Sequence, residues 1–176
     1  ELIRELGDKS CIVFTNMKKT AHILTVMLQQ LHISSVLYHG DLQQRQRQKA
    51  VDDFKAGKYG VLVTTNVASR GLDIPHVNTV INYDLPETSQ EYVHRVGRAG
   101  RAAKCGVAIT ILAMNDLPKF KLLENDLKQK LELKRVDESA ISSLSETVEQ
   151  ARKAGNESFK EYSKKSRQKK KEKYKS

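Results

Sequence analysis

The chain has 176 residues, 39% of them hydrophobic, with 31 Lys or Arg against 21 Asp or Glu and hence a formal net charge of +10. That length suits one compact α/β domain with a tail and is too short for two full domains. No run nears the roughly 18 apolar residues of a membrane span, and the amino end lacks the order of a signal peptide; Cys11 and Cys105 form neither a CxxC pair nor a metal-ligand cluster with histidine, so a soluble intracellular protein without disulfides or zinc is expected.

Short β-branched runs at 11–15, 35–38, 60–64, 79–82 and 107–112 alternate with helical patterns. This is the signature of βαβ units around a mainly parallel twisted sheet flanked by helices. Between the first two runs, Ala21, Leu24, Leu28 and Leu31 recur at helical spacing and give one apolar face to lay on the sheet. Further helices are predicted at 43–56, 88–95 and 116–130, the last opened by Asp116, whose carboxylate suits the positive end of a helix dipole. After Leu133 the strand-like runs stop, and Ile141, Leu144 and Val148 space out an appended amphipathic helix. Beyond Gly155 the apolar positions thin out. The expected organisation is an α/β domain over 1–135, an appended helix over 136–158 and a basic tail, frayed or disordered, over 159–176. From Lys160 to Ser176 nine Lys or Arg stand against Glu161 and Glu172, so the tail carries +7 of the total +10 and the body only +3.

Three segments at the expected carboxyl ends of strands carry chemistry. In His94-Arg95-Val96-Gly97-Arg98-Ala99-Gly100-Arg101, Arg98 and Arg101 could present planar charged forks to phosphate oxygens, with glycines allowing a tight turn beneath them. The same run also reads as a solvated basic patch. Thr64 to Pro75 follows a buried-looking strand, where the ligands of doubly wound sheets sit. Thr64 and Thr65 offer hydroxyls and Asp73 a carboxylate suited to a sugar hydroxyl; the alternative is a helix cap with an Arg70–Asp73 surface pair. In Tyr38 to Arg47 a glycine, a helix amino end and nearby arginines suit a phosphate. No GxxxxGK[ST] loop and no Asp-Glu-Ala-Asp run is present.

Taken together, from about Cys11 to Leu112, these segments resemble the carboxyl-terminal RecA-like domain of the DEAD-box ATP-dependent RNA helicases. Ile12-Val13-Phe14 resembles motif IV, the stretch with Gln44 and Arg47 the HGxxxQxxR pattern of motif IVa, Thr65 to Asp73 motif V and His94 to Arg101 motif VI. The resemblance implies that Arg98 and Arg101 act on the β and γ phosphates of ATP, with Arg101 as arginine finger, and that Asp73 and Gly71 help to bind the nucleotide. It implies that Gly40, Gln44, Arg47, Thr65 and Asn16 line the RNA side through the sugar-phosphate backbone, and that His94 and Arg70 serve the interface between domains. ATP with magnesium would be held mainly by an amino-terminal RecA-like domain of the same protein, so this chain alone is not expected to hydrolyse ATP. It places no metal ligand here.

The sequence departs from the common family pattern at Met17, Asn66 and Ala99, where Thr, Asp and Thr are usual. DEAH-type helicases share a similar motif VI but normally begin it with Gln, where this chain has His94. Ile74 to Val77 and Thr147 to Ala151 look most like the subgroup acting in ribosome biogenesis, which implies ribosome-assembly proteins as partners and a nuclear and nucleolar location, with the cytoplasm as alternative. A monomer without membrane association is expected. The competing class is a non-catalytic RNA-binding or protein-interaction module.

Overall fold

The first four strand segments are buried or half-buried at every position, as parallel pairing with crossover helices on both faces achieves, while the fifth, at the sheet edge, is partly exposed. The computed structural model describes residues 2–5, 7, 9–66, 74–100, 106–134 and 138–173. Strands β1 (Cys11–Thr15), β2 (Ser35–Tyr38), β3 (Val61–Thr65), β4 (Thr79–Asn82) and β5 (Val107–Thr110) form one sheet in the order β2-β3-β1-β4-β5. All of its pairings are parallel. The helices are α1 (Leu2–Glu5), α2 (Lys18–Gln30), α3 (Gln44–Lys55), α4 (Ser89–Val96), α5 (Leu117–Leu127) and α6 (Glu138–Lys173), with a 3-10 turn at Met114–Asp116 before α5.

The two-residue repeat of the strands separates two cores. Ile12, Phe14, Leu62 and Val80 pack under Ala50, Val51 and Phe54 of α3, while Cys11, Val13, Val61, Val63 and Ile81 pack under Ala21 and Leu28 of α2. A third, smaller cluster joins Leu85, Tyr92 of α4 and Leu123 of α5. Burial pushes the Cys11 thiol up to about 12, which makes it a packing residue and not a nucleophile.

The register aligns the strand ends. Thr15 lies opposite Thr65, and Phe14 lies between Thr64 and Asn82. The loops after β1, β2, β3 and β4 therefore leave the sheet on one side, and the order reverses at β1, the switch point where ligands of open α/β sheets are bound.

At the start of α2 the capping position is Met17, extended and without a side-chain bond to the helix. A hydroxyl there would take up one free backbone N–H, so the departure from Thr forgoes about 1 kcal/mol. Ala99 packs against the α3-side core and bridges to Val77, where a hydroxyl would add nothing to that apolar contact.

The carboxyl-terminal part corrects the sequence reading. In place of a helix to residue 158 and a frayed tail, one helix of 36 residues runs to Lys173, a length of about 54 Å. It lies antiparallel on α2: Leu144 and Val148 share a cavity with Leu24 and Leu28, Gly155 sits at Ile23, and Ser158 reaches His22. A Cβ on Gly155 would stand 2.9 Å from the Ile23 carbonyl oxygen, so glycine allows the backbones to come this close. Past residue 158 the rings of Phe159 and Tyr162 dock on His22, and the Lys, Arg, Glu and Gln residues that follow are good helix formers. The remaining differences are small, with β5 stopping at Thr110 and α5 at Leu127, and the four-residue α1 lacking a sequence signal.

Candidate nucleic-acid interface at the carboxyl edge of the sheet

The loops after β1, β2 and β3 open into one cleft of about 770 Å³, whose lining includes Asn16, Gly40, Asp41, Thr65 and Asn66. Three of the residues expected on the RNA side, Asn16, Gly40 and Thr65, are thus brought together. Gln44 opens α3, and Arg47, one turn on, donates from Nη2 to its side-chain oxygen. Lys18 of α2 meets Asp41 at 2.6 Å across the mouth of the cleft, a solvent-exposed pair worth little by itself.

This edge is polar yet incompletely satisfied. Among the described residues, the buried side-chain atoms with no hydrogen-bond partner are Tyr38 Oη, His39 Nε2, Arg47 Nε, Thr65 Oγ1 and His22 Nδ1. Tyr38, His39 and Thr65 sit at or just beyond the ends of β2 and β3, Arg47 lies in the first turn of α3, and His22 lies on α2. Buried polar atoms are rarely left unpaired unless function or an external group uses them.

Both histidines are held neutral. His39 Nδ1 accepts from the Asp41 N–H at 3.2 Å, which puts the ring proton on the unpartnered Nε2. Burial lowers the pKa of His39, opposed by Asp41 and reinforced by Lys18 and His22, and burial likewise lowers that of His22. His22 also faces Ser158, Phe159 and Tyr162 of α6. A histidine whose folded pKa is depressed binds its proton more readily when unfolded. Its stabilisation is complete above the unfolded value of about 6.5 and is lost as pH falls toward the folded value. The urea midpoint is therefore expected to drop between about pH 7 and about pH 5.5, above the range where carboxylates titrate; an unchanged midpoint would contradict neutral packing of these rings.

The arginine at the centre of the edge is Arg95, which the sequence reading did not single out. It is fully buried. Its Nε donates to Asn66 Oδ1 at 2.8 Å, Nη2 to Asn16 Oδ1 at 2.7 Å, and Nη1 to the Asp84 carbonyl at 2.9 Å and, more weakly, to Asn82 Oδ1 at 3.4 Å. Its guanidinium also lies over the Phe14 ring, 5.5 Å from the centroid. One side chain thus ties together the ends of β1, β3 and β4. Burial lowers its pKa, and Glu91, Asp84 and Glu87 oppose that.

Asn16 is committed to the same network. Its amide donates to the Leu85 carbonyl at 2.9 Å and Glu87 at 3.2 Å, and its backbone N–H donates to Asp84 at 2.7 Å. With both amide protons taken, Asn16 fixes the shape of its loop more than it offers donors to a ligand. The Asn66 amide oxygen does what a carboxylate oxygen would do at that place, accepting from Arg95.

On the other side of α4, His94 is exposed and Arg98 half-buried. The Arg98 backbone is pinned, its N–H donating to the Arg95 carbonyl and its own carbonyl accepting from Val77 N. Gly100, at φ 95°, donates back to the Val77 carbonyl. A Cβ on Gly106 would stand 2.1 Å from the Gly100 nitrogen, so the strand leading into β5 can pass only as glycine. Arg70, Gly71, Asp73 and Arg101 lie outside the described residues. No group of three His, Cys, Asp or Glu that could hold a metal occurs among the described residues, and no described helix is long and apolar enough to cross a membrane.

Residues 1–103 match the family model for the helicase conserved C-terminal domain. The chain belongs to this family. Its DEAD-box branch is shown by the C-terminal domain of the DEAD-box protein Dbp5, 34% identical with a TM-score of 0.69 over 85% of this chain and 88% of that one. Domain 2 of the DEAD-box helicase Mss116p, solved bound to an RNA duplex, is 29% identical with a TM-score of 0.69 over 84% of this chain and 60% of that one. The ATP-dependent rRNA helicase RRP3 of Kluyveromyces lactis is 45% identical over 150 residues, 85% of this chain, which spans only 31% of that protein's length. This helicase C-terminal domain thus has the RecA-like fold expected from its motifs; Asn16 just after motif IV, Gly40 and Asp41 of motif IVa and Thr65 and Asn66 of motif V line one cleft, while Arg95 of motif VI bonds to Asn16 and Asn66.

Proposed function

We propose that the chain is the second RecA-like lobe of an ATP-dependent RNA helicase, completing a nucleotide site built mainly on another lobe and carrying half of an RNA track. The observation that carries this reading is the convergence of the loops after β1, β2 and β3 on one cleft, with a buried and unpartnered polar atom at its lining residue Thr65 and others at His39, next to lining residue Gly40, and at Arg47 of α3. Backbone-directed donors of this kind grip sugar and phosphate with little sequence preference. Gly40, Gln44, Arg47 and Thr65 would line the track, with Asn16 shaping it.

Bound between two lobes, ATP with magnesium supplies the phosphoryl-transfer chemistry. Of the residues assigned to it here, Arg98 is the one described, and a pinned backbone with a permanently charged, donor-only side chain fits phosphate oxygens. Arg101 would follow it as the finger that neutralises developing charge, Asp73 and Gly71 would meet the nucleotide, and His94 and Arg70 would couple its state to lobe closure. The likeness to rRNA helicases supports a place in ribosome assembly, and with it the nucleus and nucleolus.

The test is complementation. Neither this chain nor the amino-terminal lobe alone should turn over ATP, and joining them should give RNA-stimulated hydrolysis. Absence of turnover in the joined protein, with RNA binding intact, would leave a non-catalytic RNA-binding module.

A further inference from the structure

The cleft has a second wall that the helicase motifs do not provide. Opposite Gly40 and Thr65 it is lined by Phe159, Tyr162, Ser163, Ser166 and Arg167 of α6. The Tyr162 ring lies 5.0 Å from His22 and 6.0 Å from His39, and Phe159 lies 5.6 Å from His22. Because His39 is the first residue of the HGxxxQxxR pattern, α6 is in ring contact with motif IVa itself.

We infer that the carboxyl-terminal half of α6 is the outer wall of the RNA track, with Phe159 and Tyr162 offering ring surface to bases and Arg167 and Lys19 meeting phosphates. This rests on the reading of the carboxyl edge as the RNA face. Three observations favour single-stranded RNA as occupant. The cleft stays open beside the helix and is within the size range of ligand sites, about 300–1,000 Å³. Two aromatic rings, Phe159 and Tyr162, and three cations, Lys18, Lys19 and Arg167, line it, the combination that holds single strands by stacking and charge. Finally, nine Lys or Arg crowd into residues 160–176, a concentration whose self-repulsion an anionic strand relieves. Close approach at Gly155 fixes where the wall stands.

The experiment measures anisotropy of a fluorescein-labelled oligouridine with the full-length protein, alongside crosslinking of a 4-thiouridine version. Arg167→Glu, at an exposed position, and Tyr162→Leu, which keeps apolar bulk against His22, should each weaken binding about tenfold, and crosslinks should map to Phe159 or Tyr162. Arg47→Ala reports separately on the RNA face itself. If Arg47→Ala weakens binding while both α6 variants bind as the parent does, the wall is overturned and the RNA face stands. Tighter binding by the α6 variants also overturns it, making the helix an obstruction. If no variant weakens binding, both readings fall together.

Discussion

In a full-length protein with both lobes, Arg101→Ala is expected to lower ATP turnover by about three orders of magnitude while RNA affinity changes only a few-fold. The transferred phosphoryl group carries its charge on equatorial oxygens, and a guanidinium placed against them stabilises the transition state more than the bound nucleotide. Arg101→Lys should not restore the rate, because an ammonium lacks the planar fork. Steady-state turnover with saturating RNA and ATP provides the check. The division of labour within motif VI sharpens this prediction. Arg95 is sealed inside the fold with every described bond directed at its own chain, whereas Arg98 stands three residues further on at a partly exposed rim. On the proposed reading, chemistry at the nucleotide would fall to Arg98 and Arg101, with Arg95 holding the loops in place.

Loss of Arg95 should be the most destabilising single change at the edge. Arg95→Ala strips the donors from Asn16, Asn66, Asn82 and the Asp84 carbonyl at once and leaves a cavity beside Phe14. Stranding several buried acceptors of a charged donor costs about 3–5 kcal/mol, which corresponds to a fall in Tm of roughly 10 °C for a chain of this size. Arg95→Lys should recover only part, since one ammonium cannot reach acceptors spread over three strand ends. Urea unfolding followed by circular dichroism measures both. A cost below about 1 kcal/mol for Arg95→Ala would mean that the network is ornamental.

The strands were legible because parallel strands buried on both faces leave continuous β-branched runs, and three of the five described strands match their expected bounds residue for residue. Arg95 escaped notice because residue type alone does not tell a buried guanidinium from a partly exposed one such as that of Arg98, three residues further on. Its position did hold a signal: it falls three residues after Tyr92, on the face of α4 that packs inward. The reach of α6 escaped notice for a different reason. Its contact stripe continues from Leu144 and Val148 through Ala151, Gly155, Ser158 and Tyr162 at unbroken helical spacing, but small residues replace apolar ones, so hydrophobic periodicity fades where backbone proximity takes over. The cleft wall followed from that docking, which no local pattern encodes.

The most direct test of which edge of this sheet faces nucleic acid is amide chemical-shift mapping of the isotope-labelled chain titrated with single-stranded oligouridine. Perturbations should gather at residues 17–19, Gly40, Asp41, Thr65 and Asn66. Shifts gathered instead around Ser10, Ser34 and Gly60, at the amino ends of the strands, would place the ligand on the opposite edge and contradict the assignment.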